Sequence, residues 1–139
     1  MELFILPIII ALLVHAIKLA IDVVEGTFSW HTATHYGGMP SSHSALVTSL
    51  ATVIYMTEGL STAFAVSLVL AVLVIRDAIG LRNYLSQHGW ILNKLIKDLP
   101  DEKEFKYPVL QEKIAHTWME VTVGAILGVL LTCLFFYLI

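Results

Sequence analysis

Apolar residues occur in four long runs along the chain, and polar connectors separate them. The runs are Leu3–Val24, Ser44–Met56, Thr62–Ile79 and His116–Ile139. A helix needs about 20 residues to cross the hydrocarbon core of a bilayer, and the second run is somewhat short for this. The pattern predicts four transmembrane helices, with a tight turn at Thr57–Ser61 between the second and the third.

The connector before the fourth run, Asn83–Ala115, is the only long polar segment. Its first part, Tyr84–Leu99, has apolar residues at helical spacing, which predicts an amphipathic helix lying on the membrane surface. Pro100 and Pro108 break the helical pattern after it. The charged residues of this connector are typical of a solvated face.

Composition supports a membrane location. Of the 139 residues, 58% are hydrophobic and only 14% are charged, whereas soluble domains are about 25% charged. The predicted fold class is all-α, a polytopic membrane helical bundle of about four transmembrane helices plus an interfacial amphipathic helix. We expect residues 1–139 to form a single integral membrane domain, with the lipid bilayer as a partner. The first run lacks a basic start and a cleavage site, so it is predicted to be a retained span.

Charge and cysteine content exclude several other classes. A net charge of −3 offers no electrostatic reason to expect a nucleic-acid partner. The single cysteine, Cys133, excludes a disulfide framework and a cysteine metal cluster. His31 and His35 have the spacing of a zinc pair but lack the neighbouring Glu and an obvious third ligand. We therefore predict no metal and no cofactor.

A glycine-rich turn precedes the second run, in the stretch Gly37-Gly38-Met39-Pro40-Ser41-Ser42-His43-Ser44-Ala45. Pro40 stands just before the predicted helix, and Ser41 or Ser42 can cap it. The first N–H groups of a helix and its dipole favour a bound anion. His43, in the first turn, could exchange a proton with a bound phosphate. A capped helix with a surface histidine explains the same local pattern.

Two further groups of polar residues lie in or beside the first and third apolar runs. Spacings of three and four place His15, Lys18, Asp22 and Glu25 on one helix face, either lining a cavity or forming a self-satisfied Lys18–Asp22 pair. Basic and acidic residues lie at the end of the third run. Two interpretations explain them: they anchor the helix at the membrane interface, or they bind a phosphate group. They are Arg76, Asp77 and Arg82.

In the first part of the fourth run, polar or small residues recur at every fourth position and so share one helix face. It consists of His116, Glu120, Gly124 and Gly128. A carboxylate one turn from a histidine can accept its ring N–H, orient the imidazole and stabilise its cation. The two glycines allow close approach of another helix, either within the chain or in a homodimer.

The topology brings these candidates to one side of the membrane. With four spans, the first and third connectors lie on the same side, together with the nearby half of the first span. Lys18, His43, Arg82 and His116 should therefore converge. All eight Lys and Arg residues lie on or near that side, which predicts that it is cytoplasmic and that both termini are opposite.

Pro40-Ser41-Ser42-His43 and His116-x-x-x-Glu120 resemble the second and third motifs of the type 2 phosphatidic acid phosphatase superfamily, which includes the vanadium haloperoxidases. The chain is closer to a divergent branch of small membrane proteins described as acid phosphatase/haloperoxidase-related. The resemblance also covers Asp77-Ala78-Ile79-Gly80-Leu81-Arg82 and Leu92-Asn93-Lys94-Leu95. It runs from about Lys18 to Gly128.

The resemblance implies a metal-free phosphohydrolase. The predicted position of the site at the membrane interface indicates a lipid phosphate or diphosphate as the substrate, with a polyprenyl chain as one candidate. His116 resembles the nucleophile, Glu120 replaces the Asp that orients it, and His43 resembles the general acid. Lys18 resembles the phosphate-binding lysine of the first motif. The other phosphate-binding candidates are Gly38, Ser41, Ser42, Asp77 and Arg82.

The chain departs from the family pattern at both motif arginines. Glu25-Gly26 stands where the first motif has Arg-Pro, and Val109-Leu110 stands where the third has Ser-Arg. Arg82, Arg76 or Lys113 are the candidates to replace them in space. The alternative functions are a non-catalytic lipid-phosphate binding or transport protein, or a structural membrane subunit.

Overall fold

The computed structural model describes residues 5–28, 38–99, 107–112 and 114–138. All regular secondary structure in these ranges is helical, which confirms the all-α prediction. The helices are α1 (Ile5–Val24), α2 (Ser42–Glu58), α3 (Thr62–Ile79), α4 (Leu81–Lys97) and α5 (Trp118–Leu138). The predicted His31–His35 pair, the first turn glycine Gly37 and the candidate cation Lys113 lie outside the described residues.

Capping residues explain where the helices begin and end. The Ser41 side chain caps α2, which starts two residues before the predicted run, and Gly59 ends it with a φ of 67°. That left-handed conformation is readily open to glycine because it has no Cβ. Ser61 then caps α3, accepting a hydrogen bond from the Phe64 N–H at 3.1 Å.

Several predicted boundaries differ from those of the structure, and two of them are wrong in a way that matters for the site. The fourth run was expected to be helical from His116, but α5 begins at Trp118, so His116 lies before the helix. The amphipathic helix begins at Leu81 rather than Tyr84, because the Gly80 N–H bonds to the Arg76 carbonyl at 2.8 Å and continues the α3 hydrogen bonding. As a result, α3 and α4 follow each other almost without a break.

The central helix of the bundle is α2, which packs against α1, α3 and α5. Its Ala45 and Val53 join Leu6, Ile10 and Val14 of α1 in the buried core. Fully buried hydroxyls also meet between α2 and α5, where Ser49 and Thr132 oxygens lie 2.7 Å apart. These hydroxyls therefore contribute to helix packing, as is common where membrane helices meet.

The outer surface of the bundle is largely apolar, as a lipid-facing surface should be. Within the described ranges, Ile5–Val24, Thr62–Lys97 and Trp118–Leu138 are long and apolar enough to cross a membrane. The 17 residues of α2 extend about 25 Å at 1.5 Å per residue, close to the hydrocarbon thickness. Because other helices surround α2, it does not need an apolar surface all round.

Candidate functional site

The site is built around a buried histidine–carboxylate pair. His116 Nδ1 and Glu120 Oε2 lie 2.8 Å apart, and the two side chains are 4% and 11% exposed. The His116 backbone N–H donates to the Ala78 carbonyl at 3.2 Å, which ties this residue to the end of α3. The other ring nitrogen, His116 Nε2, is buried without a hydrogen-bond partner among the described residues. When Glu120 accepts the Nδ1–H, the lone pair is on Nε2.

Glu120 also starts the helix on which it lies. Its Oε2 accepts the Thr117 backbone N–H at 3.2 Å, and its own N–H donates to Thr117 Oγ1 at 3.2 Å. This reciprocal arrangement is a capping box, and its sequence signal is Thr-x-x-Glu before an apolar run. Thr117 therefore belongs to the site, although the sequence analysis did not identify it. The cap keeps His116 outside the helix while Glu120 still reaches its ring.

The first turn of α2 is held against the start of α5. The Ser41 N–H donates to the Glu120 carbonyl at 3.1 Å, and the Ser41 hydroxyl accepts from Ser44 Oγ at 3.0 Å. Ser41 is completely buried, so its side chain serves as the helix cap. A Cβ on Gly124 would collide with the Ser41 carbonyl, so only glycine permits this approach.

This contact places His43 beside His116. The two ring centroids are 6.3 Å apart, and the ring planes are tilted by 55°. Among the described residues, the basic groups near enough to act electrostatically on His43 are Arg82, His116, Lys18 and His15. Side chains from α1, α2, α4 and the segment before α5 therefore meet at one end of the bundle. The structure brings these candidates together, and their binding and catalytic roles stay predictions.

Lys18 is buried, with 6% of its surface exposed, and it lies against Gly38. A Cβ on Gly38 would be 2.7 Å from Lys18 Cε, and the residue has a φ of 98°. Glycine suits the backbone conformation there, and an added methyl group would displace the end of the lysine side chain. Ser42, the first residue of α2, is partly buried at the same end.

Arg82 forms an ion pair with the other acidic candidate of this region. Its Nε lies 3.4 Å from Asp77 Oδ2, and the two side chains are 22% and 44% exposed. Asp77 thereby orients the guanidinium rather than contacting the histidines in its own right. Arg76, in contrast, is exposed. The structure therefore favours Arg82 over Arg76 as a cation of the site.

Metal ligation is not indicated within the ranges described. No three His, Cys, Asp or Glu side chains there lie together as the ligands of a metal ion would. The polar groups of the site are instead two imidazoles, a carboxylate and cations. Such a set is suited to holding a phosphoryl anion and moving a proton.

The fold and the site define a helical membrane protein with a buried His–Glu pair beside a second histidine and basic side chains. The sequence profile of the Divergent PAP2 family matches residues 1–131, and the chain belongs to that family. This confirms the resemblance found in the motifs. The chain is also 39% identical, over 128 aligned residues, to the uncharacterized membrane protein YuiD of Bacillus subtilis (strain 168). That alignment covers 83% of this chain and 80% of YuiD. No solved structure is significantly similar.

Proposed function

We propose that this integral membrane protein is a phosphatase that hydrolyses a lipid phosphate or diphosphate through a phosphohistidine at His116. The proposal is based on the hydrogen-bonding environment of the His116 ring. Its Nδ1 is 2.8 Å from Glu120 Oε2, while its buried Nε2 has no partner among the described residues. A carboxylate that fixes the tautomer in this way leaves the opposite nitrogen as a nucleophile.

In the first step, the Nε2 lone pair attacks phosphorus and the bond from phosphorus to the leaving oxygen breaks. His43, whose ring centroid is 6.3 Å from that of His116, donates a proton to this oxygen. In the second step, water attacks the phosphohistidine, the P–N bond breaks, and its electron pair returns to Nε2. His43 accepts the proton of the water, and Glu120 stabilises the imidazolium character of His116 in both steps.

Basic side chains and the start of α2 stabilise the transferring phosphoryl group in this proposal. Lys18 and Arg82 both lie near enough to act on His43, and Arg82 takes the place of the missing motif arginines. The helix start adds backbone N–H groups and the positive end of its dipole. Gly38 and Ser42 belong to this anion-binding end, and Ser41 contributes by capping the helix.

A lipid substrate is supported by an open groove at the junction of α3 and α4. The groove has a volume of about 460 Å³ and is lined by Leu73, Arg76, Asp77, Gly80, Leu81 and Tyr84. It includes Asp77, the ion-pair partner of Arg82, so the groove adjoins one of the proposed phosphate-binding cations. We propose that the site is on the cytoplasmic side, because the predicted topology assigns all eight Lys and Arg residues of the sequence to that side.

One observation favours a second function, namely lipid-phosphate binding or transport without hydrolysis. Arg82 is engaged by Asp77, and Glu25-Gly26 and Val109-Leu110 replace the arginine-containing pairs of the parent motifs. A site of this kind retains affinity for phosphate while lacking charge stabilisation in the transition state. Binding then depends on Lys18 and Arg82 and does not need His116.

The test is phosphate release by the purified protein in detergent, with a chelator and no added metal. The substrates are phosphatidic acid, lysophosphatidic acid, phosphatidylglycerol phosphate and polyprenyl diphosphates. We expect His116→Ala to lose activity on every substrate and His43→Ala to lose less where the leaving group is a better one, because such a group needs less protonation. His88→Ala, which removes an exposed histidine of α4, is the matched control and should match wild type.

Release that persists in His116→Ala contradicts the phosphohistidine mechanism. If no substrate is hydrolysed but orthovanadate or inorganic phosphate binds equally to wild type and His116→Ala, the binding or transport function is supported instead. If neither anion binds, the structural-subunit alternative remains.

A further inference from the structure

The segment between α4 and α5 that contains His116 is not helical. Residues 107–112 and 114–117 lie between α4 and α5 without regular secondary structure, and His116 is its next-to-last member. A nucleophile on an irregular segment needs support from outside, because misplacement by about 1 Å can cost 100-fold in rate. In this structure the support comes largely from one face of α4.

Ser86 holds the end of this segment nearest to His116. Its Oγ accepts the backbone N–H groups of Ile114 at 3.1 Å and Ala115 at 3.2 Å. The same hydroxyl donates to the Arg82 carbonyl at 3.0 Å, one turn earlier in α4. A single hydroxyl therefore ties the two residues before His116 to the turn that carries Arg82.

Asn93 holds the other end of the segment. Its Nδ2 donates to the Leu110 carbonyl at 2.7 Å and to Glu112 Oε1 at 2.9 Å, and its Oδ1 accepts the Leu110 N–H at 2.8 Å. Only 6% of Asn93 is exposed. Three hydrogen bonds from one buried amide fix both the position and the direction of the chain at Leu110.

Gly89 lies between these two residues on the same face of α4 and lets the segment approach. A Cβ there would be 2.7 Å from the Gln111 carbonyl oxygen. Ser86, Gly89 and Asn93 are three and four residues apart, which aligns them along the helix. We call these three residues the connector clamp.

We propose that Ser86 and Asn93 are positioning residues, which set the distance between His116 and Arg82 by binding the segment before α5 to α4. The inference rests on the proposed function, since it concerns the placement of the nucleophile for transfer. One face of α4 carries Arg82, Ser86, Gly89 and Asn93. Because this helix is continuous, it fixes the distance between a phosphate-binding cation and the attacking nitrogen.

The experiment compares Ser86→Ala, Ser86→Thr and Asn93→Ala with Gln87→Ala, which removes an exposed polar side chain of the same helix. For phosphate release from phosphatidic acid, we expect kcat to fall about 10- to 100-fold in Ser86→Ala and Asn93→Ala, with KM changed less than about threefold. Ser86→Thr keeps the hydroxyl and should recover most of kcat. Gln87→Ala should match wild type.

Amide hydrogen exchange supplies a readout that does not depend on activity. In Ser86→Ala, the Ile114 and Ala115 amides lose their acceptor, so the peptide over residues 110–117 should exchange about tenfold faster. Peptides from α1, α2 and α5 should be unchanged, which distinguishes a local effect from general unfolding. Equal loss of protection throughout the bundle, or failure of Ser86→Thr to recover kcat, overturns the positioning role.

The outcomes also distinguish this inference from the proposed function. If wild type is active and the clamp variants keep its kcat and its exchange pattern, the inference fails and the function stands. If wild type releases no phosphate but binds orthovanadate, and Ser86→Ala accelerates exchange only over residues 110–117, the function fails and the positioning role stands. If wild type neither hydrolyses the lipid nor binds orthovanadate, both fail.

Discussion

Single residues at this site have several roles at once, and Glu120 is the clearest case. Its carboxylate accepts from His116 Nδ1 and from the Thr117 N–H, and its backbone carbonyl accepts from Ser41. The residue therefore starts α5, orients the His116 ring and holds the first turn of α2. Substitutions that keep one task and remove another can separate structure from chemistry.

Glu120→Gln is expected to lower kcat by about 100-fold or more while leaving the fold nearly as stable. The glutamine amide still completes a capping box, which accepts Glu or Gln at this position. It loses the negative charge that stabilises the histidine cation, and its NH₂ can favour the wrong tautomer of His116. Steady-state kinetics and thermal unfolding in detergent measure the two effects.

The matched control is Glu58→Gln, which neutralises an exposed carboxylate at the far end of α2. It should leave kcat unchanged. A Glu120→Gln protein with wild-type kcat contradicts the orienting role of the carboxylate.

Gly38→Ala is expected to weaken phosphate binding through Lys18. The added methyl would lie 2.7 Å from Lys18 Cε and must displace the lysine side chain. Gly26→Ala is the matched control, because Gly26 also has a positive φ of 69° but nothing within 4 Å of the new methyl group. Both variants put alanine at a positive φ, and only Gly38→Ala displaces Lys18, so we expect the larger loss of inorganic phosphate affinity in Gly38→Ala. Equal affinities in the two variants contradict it.

At the scale of whole elements, the close contact of α2 with α5 decides where the histidines lie. Gly124 faces the Ser41 carbonyl, and Gly128 faces Thr48 Oγ1 and the Ala45 carbonyl. The glycine face considered for a homodimer is therefore used inside the chain. A homodimer stays a prediction and requires another surface.

Gly124→Ala is expected to lower the free energy of unfolding and to reduce activity. Overpacking of a tight contact costs about 1–3 kcal/mol, which exceeds the intrinsic gain of about 1 kcal/mol from alanine in a helix. Thermal unfolding in detergent measures the loss. Val129→Ile adds a methylene on an exposed face of α5 and should not change stability. Unchanged unfolding in Gly124→Ala would show that the two helices can separate without cost.

At the scale of the whole molecule, all the candidate side chains lie at one end of the bundle and the α2–α3 turn lies at the other. Three described segments meet the requirements of length and apolarity for crossing, and α2 is a shorter central helix. If α2 crosses as well, the candidate side chains and the α2–α3 turn are on opposite sides of the membrane. The distribution of Lys and Arg then predicts which of the two sides is cytoplasmic.

The orientation can be measured with single cysteines in a Cys133→Ala background. Leu60→Cys lies in the exposed α2–α3 turn, and Gln87→Cys lies on the exposed face of α4 near the site. In intact cells, a membrane-impermeant thiol reagent is expected to label Leu60→Cys only, and to label Gln87→Cys after permeabilisation. The reverse pattern would put the site outside the cytoplasm and contradict the charge rule for this chain.

Much of the fold was predictable because its signals are local. The range Thr62–Ile79 was predicted to the residue, since a capping serine and an apolar run act within a few positions. The start of α5 was misplaced because the Thr-x-x-Glu signal at Thr117 was not used. His43, His116 and Glu120 were found from their residue types and motifs.

The sequence by itself determined an all-helical membrane bundle, the family and the residues that converge at one end. Only the tertiary structure decided that His116 Nε2 is the nitrogen without a partner, that the glycine face is internal, and that α4 holds the segment before α5. These features depend on contacts between residues far apart in the chain, such as Asn93 with Leu110. Hydrophobic periodicity and capping residues reflect interactions between neighbours along the chain. Contacts between distant residues depend instead on how the helices cross and how closely their backbones approach.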